Sequence, residues 1–367
     1  MTTLENRVLI FKSSNMKKRP PKNGILIKKQ NTLLVDGNAL FRTGFFGAKE
    51  MYNSQGKPIG GVYQFLTMLR KMLSEDLYHR VYVFWDGNFS GKLRYEIYKP
   101  YKSGRGKNYE TGTQPTDEDE VRQRRRVWDY LNEMHIRQLK HEIIESDDFI
   151  AHYCLTRKPN EKITIITNDR DMAQLIDNDV RIYFCDKAIK NYVDKTNFSS
   201  YFCYSYENAA LVKTIIGDNS DTILGIKGLK EKKLTSLFPM LSERKLTLNE
   251  IIDEAKKQQL ERTENKKKPL KILHNILNRV TDGVQGDKIY EINHKLVNLK
   301  EPMMTLDGIE QLEELIEGFI DEFEFTEVYD MMVKDGLDNE MGEYRYQDFL
   351  IPFKSLIKRE VTNIKNN

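Results

Sequence analysis

Short apolar runs alternate with longer helical stretches from residue 32 onward. Thr32-Leu-Leu-Val-Asp36, Val81-Tyr-Val-Phe-Trp-Asp86, Ile163-Thr-Ile-Ile-Thr167 and Val180-Arg-Ile-Tyr-Phe184 read as buried strands, and residues 60–75, 116–134, 147–157 and 170–177 read as helices. Continuously apolar strands separated by helices belong in a mostly parallel sheet covered on both faces, so the pattern predicts an α/β fold. Two of the strands end in Asp, and a third is followed closely by Asp169 and Asp171. In open α/β sheets the carboxyl ends of strands are where sites form. Thr116 can cap the second helix, whose first turn holds Asp117, Glu118 and Asp119 at the positive end of the dipole, ahead of Arg122, Arg124, Arg125 and Arg126. Beyond residue 205 the chain reads as mainly helical, with a loop at Lys266-Lys-Lys-Pro269 and an acidic amphipathic helix over 309–332.

Charge divides the chain further. Its 367 residues carry 58 Lys+Arg and 55 Asp+Glu, a formal +3 that hides a partition. Residues 301–350 hold 16 acids and two bases, residues 351–367 hold four bases and one acid, and the first 300 residues are left with +14. A basic body with an acidic segment is a pattern that faces nucleic acid, phosphate being the commonest large anion. Residues 1–30 contribute eight bases against Glu5 alone and read as a basic N-terminal extension. Behind it follow an α/β core over 31–205, a helical region over 206–300 and an acidic helical region over 301–367. No apolar run approaches the ~20 residues needed to cross a bilayer, and the start, Met1-Thr-Thr-Leu-Glu-Asn-Arg, lacks the basic-then-apolar order of a secretion signal. Cys154, Cys185 and Cys203 have no CxxC spacing, which argues against a disulfide framework and against zinc. The expected setting is a reducing cytoplasm, that of the host if the chain is viral.

The acids worth weighing are Asp36, Asp86, Glu145, Asp147, Asp148, Asp169, Asp171, Asp218 and Asp221. Each alone has a plain explanation as a turn or capping residue. One sheet, however, brings Asp36, Asp86 and Asp169 to a common edge, with Glu145-Ser146-Asp147-Asp148 opening a helix beside it. Two carboxylates about 4 Å apart repel by ~4 kcal/mol at an effective dielectric near 20, so such a cluster needs compensation. Oxygen-rich acidic cages suit Mg²⁺ or Mn²⁺, and two such ions are an apparatus for phosphodiester hydrolysis.

The chain from Asp86 to Glu145 has another character. Lys92, Arg94, Lys99, Lys102, Arg105 and Lys107 are interleaved with Tyr95, Tyr98, Tyr101 and Tyr109. Bases that reach phosphates, alternating with rings that stack on unpaired bases, suit a single-strand channel.

In order along the chain stand Leu33-Leu-Val-Asp36-Gly-Asn-Ala-Leu-Phe41-Arg42, Phe84-Trp-Asp86-Gly87, Glu145-Ser-Asp147-Asp148, Thr167-Asn-Asp169-Arg-Asp171-Met-Ala-Gln-Leu175 and Gly217-Asp218-Asn-Ser-Asp221-Thr-Ile-Leu-Gly225-Ile-Lys-Gly228. This succession resembles the 5′ nuclease family, which includes flap endonucleases, the 5′→3′ exonuclease domains of bacterial DNA polymerases and, closest in layout, bacteriophage ribonuclease H. The resemblance is clear over about 31–240. It implies a helical arch over 87–135, a helix-three-turn-helix in 206–300, and two metal ions. Asp36, Asp86, Glu145 and Asp147 resemble ligands of the first ion, and Asp148, Asp169, Asp171, Asp218 and Asp221 those around the second. Tyr98-Lys-Pro-Tyr101-Lys102-Ser-Gly-Arg105 resembles the element at the base of the arch, which implies that Lys102 and Arg105 meet the scissile phosphate, with Lys92 and Arg94 as further candidates. Tyr95, Tyr98, Tyr101 and Lys107 would line the strand's path.

Gly225-Ile-Lys-Gly228-Leu-Lys230-Glu-Lys232-Lys233 resembles the hairpin that grips duplex backbone. Lys230 stands where a second glycine is expected, which argues against a tight left-handed turn there and against the potassium ion seen in several relatives. The implied activity is Mg²⁺-dependent hydrolysis at 5′ ends, with Mn²⁺ as a substitute. The implied partners are DNA flaps, nicks and single-strand/duplex junctions, and RNA–DNA hybrids during replication. The expected state is a monomer, with 301–350 as a docking platform for a single-stranded DNA-binding protein or clamp. A PIN-type ribonuclease shares the acidic core but lacks arch and hairpin. A non-catalytic junction binder would have no use for the complete acidic set.

Overall fold

The computed structural model describes residues 30–48, 50–115, 117–185, 189–282, 286, 288–318, 324–337 and 346–365, so the basic extension over 1–29 and the proposed cap Thr116 lie outside the described residues. Six strands, β1 (Gln30–Asp36), β2 (Arg80–Asp86), β3 (Arg137–His141), β4 (Glu161–Thr167), β5 (Val180–Phe184) and β6 (Asn191–Val193), form one sheet in the order β3-β2-β1-β4-β5-β6. All pairings are parallel except that of β6 on β5. Asp36 lies beside Phe84 and Val35 beside Ile166, so β1, β2 and β4 finish almost level and their terminal carboxylates share an edge.

Alternation along β1 sends Leu33 and Val35 to one face and Leu34 to the other, and each face has its own core. On the first face pack α1 (Gly37–Gly47), α2 (Gly60–Glu75) and α4 (Glu118–Glu133), along with α12 (Thr326–Lys334) and α13 (Tyr346–Lys365). The second face carries α5 (Ser146–Thr156), α6 (Ala209–Ile216), α7 (Glu231–Leu237), α8 (Leu248–Glu264), α9 (Lys271–Leu277), α10 (Ile289–Val297) and α11 (Leu306–Glu317). Between β2 and α4 lies the short α3 (Lys92–Ile97), and after α6 comes a small hairpin, β7 (Gly217–Asp218) with β8 (Ile223–Leu224).

Several boundaries move. The α4 cap is Asp117, which accepts from the Asp119 and Glu120 amides. The expected helix over 170–177 is a 3-10 turn, Arg170–Leu175, and the acidic helix over 309–332 is two helices broken at Gly318. The edge strand β3 has no counterpart in the sequence reading. No helix among the described residues is long and apolar enough to cross a membrane.

Candidate active site

Gly37 follows Asp36 because a Cβ at that position would meet the Trp85 ring 2.6 Å away. The chain therefore turns tightly from β1 into α1, and Asp36 caps that helix. One of its oxygens accepts from the Ala39 amide (3.0 Å) and the other from the Thr167 hydroxyl (2.9 Å). Thr167 Oγ1 in turn accepts from the Asp169 amide (3.0 Å), which ties the ends of β1 and β4 together. Asp86 accepts from the Ser146 amide (2.9 Å) and fixes the start of α5 against the end of β2.

These bonds gather Asp36, Asp86, Asp147 and Asp169 into one electrostatic group. Burial, and after it the neighbouring charges, pushes Asp36 up to about 7. Asp147 is raised well above the carboxylate range by burial and by the charges of Asp169, Asp36, Asp86 and Glu145. A second group surrounds the first, and there each acid has a cation. Arg94 is 5% exposed and donates to Glu145 (2.7 Å), to both oxygens of Asp148 (2.5 and 2.9 Å) and to the Leu296 carbonyl (2.8 Å). Lys102 Nζ donates to Glu145. Against burial, Lys102 and then Arg94 pull Glu145 down to about 2. Arg105 donates to Asp221 (2.5 Å). Lys213 bridges Asp171 (2.6 Å) and Asp218 (2.7 Å). Burial and Asp169 nevertheless carry Asp171 to about 7, whereas at Asp218 Lys213 outweighs burial and lowers it.

The inner four are thus the acids without cations of their own, and oxygen donors in mutual repulsion suit a hard divalent ion. Among the described residues no three His, Cys, Asp or Glu side chains already stand at coordination distance. Binding would have to draw the carboxylates inward.

Other expected residues are placed differently. Arg94 is not open to a phosphate, because its guanidinium is used up inside the protein, and Asp148 is turned away from the inner group, with both oxygens on Arg94 and one also on the Met303 amide (3.0 Å). Tyr101 is 2% exposed, and its hydroxyl donates to Glu145 (3.0 Å) and reaches Asp221 (3.2 Å), so its ring cannot stack on a base. With Tyr109, Ile223, Leu296 and Val297 it forms a small core, against which the half-buried Tyr95 and Tyr98 pack. Tyr95 stacks on Tyr109 with 4.6 Å between ring centroids. Lys107 donates to the Ser90 carbonyl (2.7 Å) and hydroxyl (3.0 Å), while Lys92 lies over the Phe89 ring. At these positions the bases and rings are used in contacts within the protein. Lys102 has φ 53°, a conformation uncommon outside glycine, and its amide donates to the Asp221 carbonyl (2.8 Å).

At the hairpin the left-handed residue is Gly228 (φ 75°), and Lys230 is extended, at the start of α7. A Cβ on Gly225 would overlap the Ile216 carbonyl, which explains glycine there. Lys227, Lys230, Lys232 and Lys233 are exposed around a groove that runs to Asp218. Sequence reasoning missed Lys213 and the inward role of Arg94. A lone lysine in the apolar helix Ala209-Ala-Leu-Val-Lys-Thr-Ile-Ile216 was the available signal for the first.

Residues 31–202 match the family described as 5′-3′ exonuclease, N-terminal resolvase-like domain. A thermostable DNA polymerase I from Thermus caldophilus is 30% identical over 57% of this chain, which spans about a quarter (24%) of that relative's length. A 5′-3′ exonuclease from Mycoplasmopsis pulmonis is 28% identical over 58% of this chain and 67% of its own. In three dimensions the chain is similar to the T5 5′-exonuclease with bound divalent metal ions (TM-score 0.60, 17% identity, 78% of this chain and 99% of that one). It is also similar to the bacteriophage T5 flap endonuclease in a complex with DNA and metal ions (TM-score 0.59, 18% identity, 78% and 98%). At these identities the structural likeness concerns the fold.

Proposed function

Residues 31–202 belong to the 5′-3′ exonuclease family, and on that premise we propose that the chain is a Mg²⁺-dependent 5′ nuclease. Its proposed substrates are 5′ ends, flaps and nicks of DNA, and RNA primers paired to DNA during replication. The observation that carries the reading is the inner group of Asp36, Asp86 and Asp169 at the strand ends with Asp147 from the adjoining α5, four acids whose repulsion is left for a cation to offset. Asp171 adjoins them, its amide donating to Asp169 (2.8 Å), and Lys213 ties Asp171 to Asp218. Held by these carboxylates, divalent ions supply an activated water and charge stabilisation on the leaving oxygen.

The protein's own groups do the rest. Arg94 and Tyr101 hold Glu145 in place by hydrogen bonds, and Lys102, then Arg94, keeps it ionised against burial. Lys102 and Arg105 rest on Glu145 and Asp221, and a phosphate entering the site competes for both cations and receives them as charge develops in the transition state. The exposed lysines 227, 230, 232 and 233 offer charge to the duplex backbone beyond the cut. Asp147→Asn and Asp169→Asn are expected to abolish cleavage while leaving duplex binding within about twofold, as followed by a labelled-flap assay and anisotropy. Wild-type cleavage by either variant in excess Mg²⁺ would remove the assignment.

A further inference from the structure

Residues 293–303 close α10 and run on past it without contributing an acid to the active site. A helix leaves its last four carbonyls without partners of its own, and buried ones must find them elsewhere. Here the partners come from the segments that bear the active-site acids. The Leu296 carbonyl accepts from Arg94 (2.8 Å), the residue that holds Glu145 and Asp148. The Val297 carbonyl accepts from the Gln174 side-chain amide (2.8 Å), whose oxygen accepts from the Leu299 amide (3.2 Å). Gln174 is 1% exposed and stands in the 3-10 turn that follows Asp169 and carries Asp171.

Two further contacts extend the pattern in both directions. Asn293, 1% exposed, donates to the Thr214 carbonyl of α6 (3.0 Å) and to the Leu224 carbonyl (2.8 Å) of β8, the hairpin strand that comes after Asp218 and Asp221. Beyond the helix the Met303 amide donates to Asp148 (3.0 Å), the neighbour of Asp147. Leu296 and Val297 are buried in the small core with Tyr101, and Leu299 and Met303 in the large core of the second face. The stretch is therefore anchored along its length.

A run of chain that only satisfied its own backbone would draw on neighbours in sequence or on water. This one reaches Arg94, the start of α5, the turn after Asp169 and the hairpin of Asp218 and Asp221. We infer that residues 293–303 form a strap that sets the distances among the carboxylates on these segments, with Gln174 and Asn293 as positioning residues. Each acts through the backbone it holds. Groups that orient metal-holding side chains typically matter about 10–100-fold to affinity or rate, and a misplacement of about 1 Å can cost about a hundredfold. The inference rests on the nuclease reading of the same site.

The experiment compares wild type with Gln174→Met and Asn293→Leu, which remove an amide and keep an apolar side chain of similar size. Leu356→Ala, a cavity in the core on the opposite face of the sheet, serves as the control for lost stability. Urea unfolding is followed by circular dichroism, Mn²⁺ binding by the paramagnetic resonance signal of the free ion, and flap cleavage in Mg²⁺ as kcat and KM. In both strap variants the Mn²⁺ Kd should rise and kcat fall, each roughly tenfold. KM and duplex binding by anisotropy should stay within about twofold of wild type. Leu356→Ala should unfold at lower urea and keep the wild-type Mn²⁺ Kd and kcat. Where one strap variant does not fold, the other decides. Wild-type Kd and kcat in a folded strap variant, equal losses in Leu356→Ala, or failure of both strap variants to fold would overturn the inference and leave the stretch as core alone. A wild type that binds Mn²⁺ but cleaves no flap sinks the nuclease reading, and Mn²⁺ affinity still decides the strap. A wild type that binds no Mn²⁺ overturns both.

Discussion

Arg94 sits between Glu145 and Asp148 with almost no access to water, so its removal strands two buried carboxylates. Breaking a buried pair in this way typically costs about 3–5 kcal/mol, whereas an exposed pair is worth about 0–1. Arg94→Met should therefore lower unfolding free energy in urea by several kcal/mol, and Arg105→Ala, whose side chain is 48% exposed, by less than about 1. Equal effects would remove the clamp role given to Arg94. Asp36 makes the opposite contribution. Burial raises its folded pKa from 3.8 to about 7, so the folded state binds more protons than the unfolded state across that window, and stability falls as pH rises through it. In EDTA, Asp36→Asn should flatten the decline between pH 4 and 7, and an unchanged slope would contradict the repulsion described. None of this was legible as residue roles. Arg94, Lys102 and Tyr101 look alike in sequence as arch residues, and only the return of the chain at Glu145, Asp221 and Leu296 separates buried clamp from exposed cation.

Elements were legible in proportion to how apolar they are. The buried strands β1, β2, β4 and β5 stand out as continuous apolar runs, and α2 begins and ends where its pattern does, at Gly60 and Glu75. The strand β3, Arg137-Gln-Leu-Lys-His141, was invisible because Leu139 is its single apolar residue, although α4 and α11 pack against it. At the hairpin, sequence alone put the turn in question over Lys230, while the structure makes it with Gly228 two residues earlier and leaves Lys230 pointing outward. If the lysines after that turn contact phosphates, Lys232→Ala with Lys233→Ala should weaken duplex binding and reduce the slope of log K against log salt by about 2, one unit per lost contact. An unchanged slope would move the duplex elsewhere on the molecule.

Across the whole molecule, the near-neutral charge resolves into surfaces with separate tasks. The acidic C-terminal region is not a detachable appendix. Asp335 accepts from Arg126 (2.6 Å) and Tyr130 (2.8 Å) of α4, Asp307 meets His141 (2.9 Å), and Phe349, Leu350 and Phe353 of α13 lie in the core with α2. Deleting 301–350 would open that core, so a docking role toward a single-stranded DNA-binding protein or clamp is better tested by reversing exposed acids such as Glu313 and Glu314. The central claim is that the uncompensated carboxylates at the sheet edge hydrolyse 5′ ends with a divalent ion. The most direct test is digestion of matched blunt, flapped and RNA-primed substrates, each labelled at the 5′ end, with Mg²⁺ or with EDTA, by wild type and Asp169→Asn. The account predicts release of the 5′ label by wild type in Mg²⁺ alone. Release in EDTA, or equal release by Asp169→Asn, would contradict it.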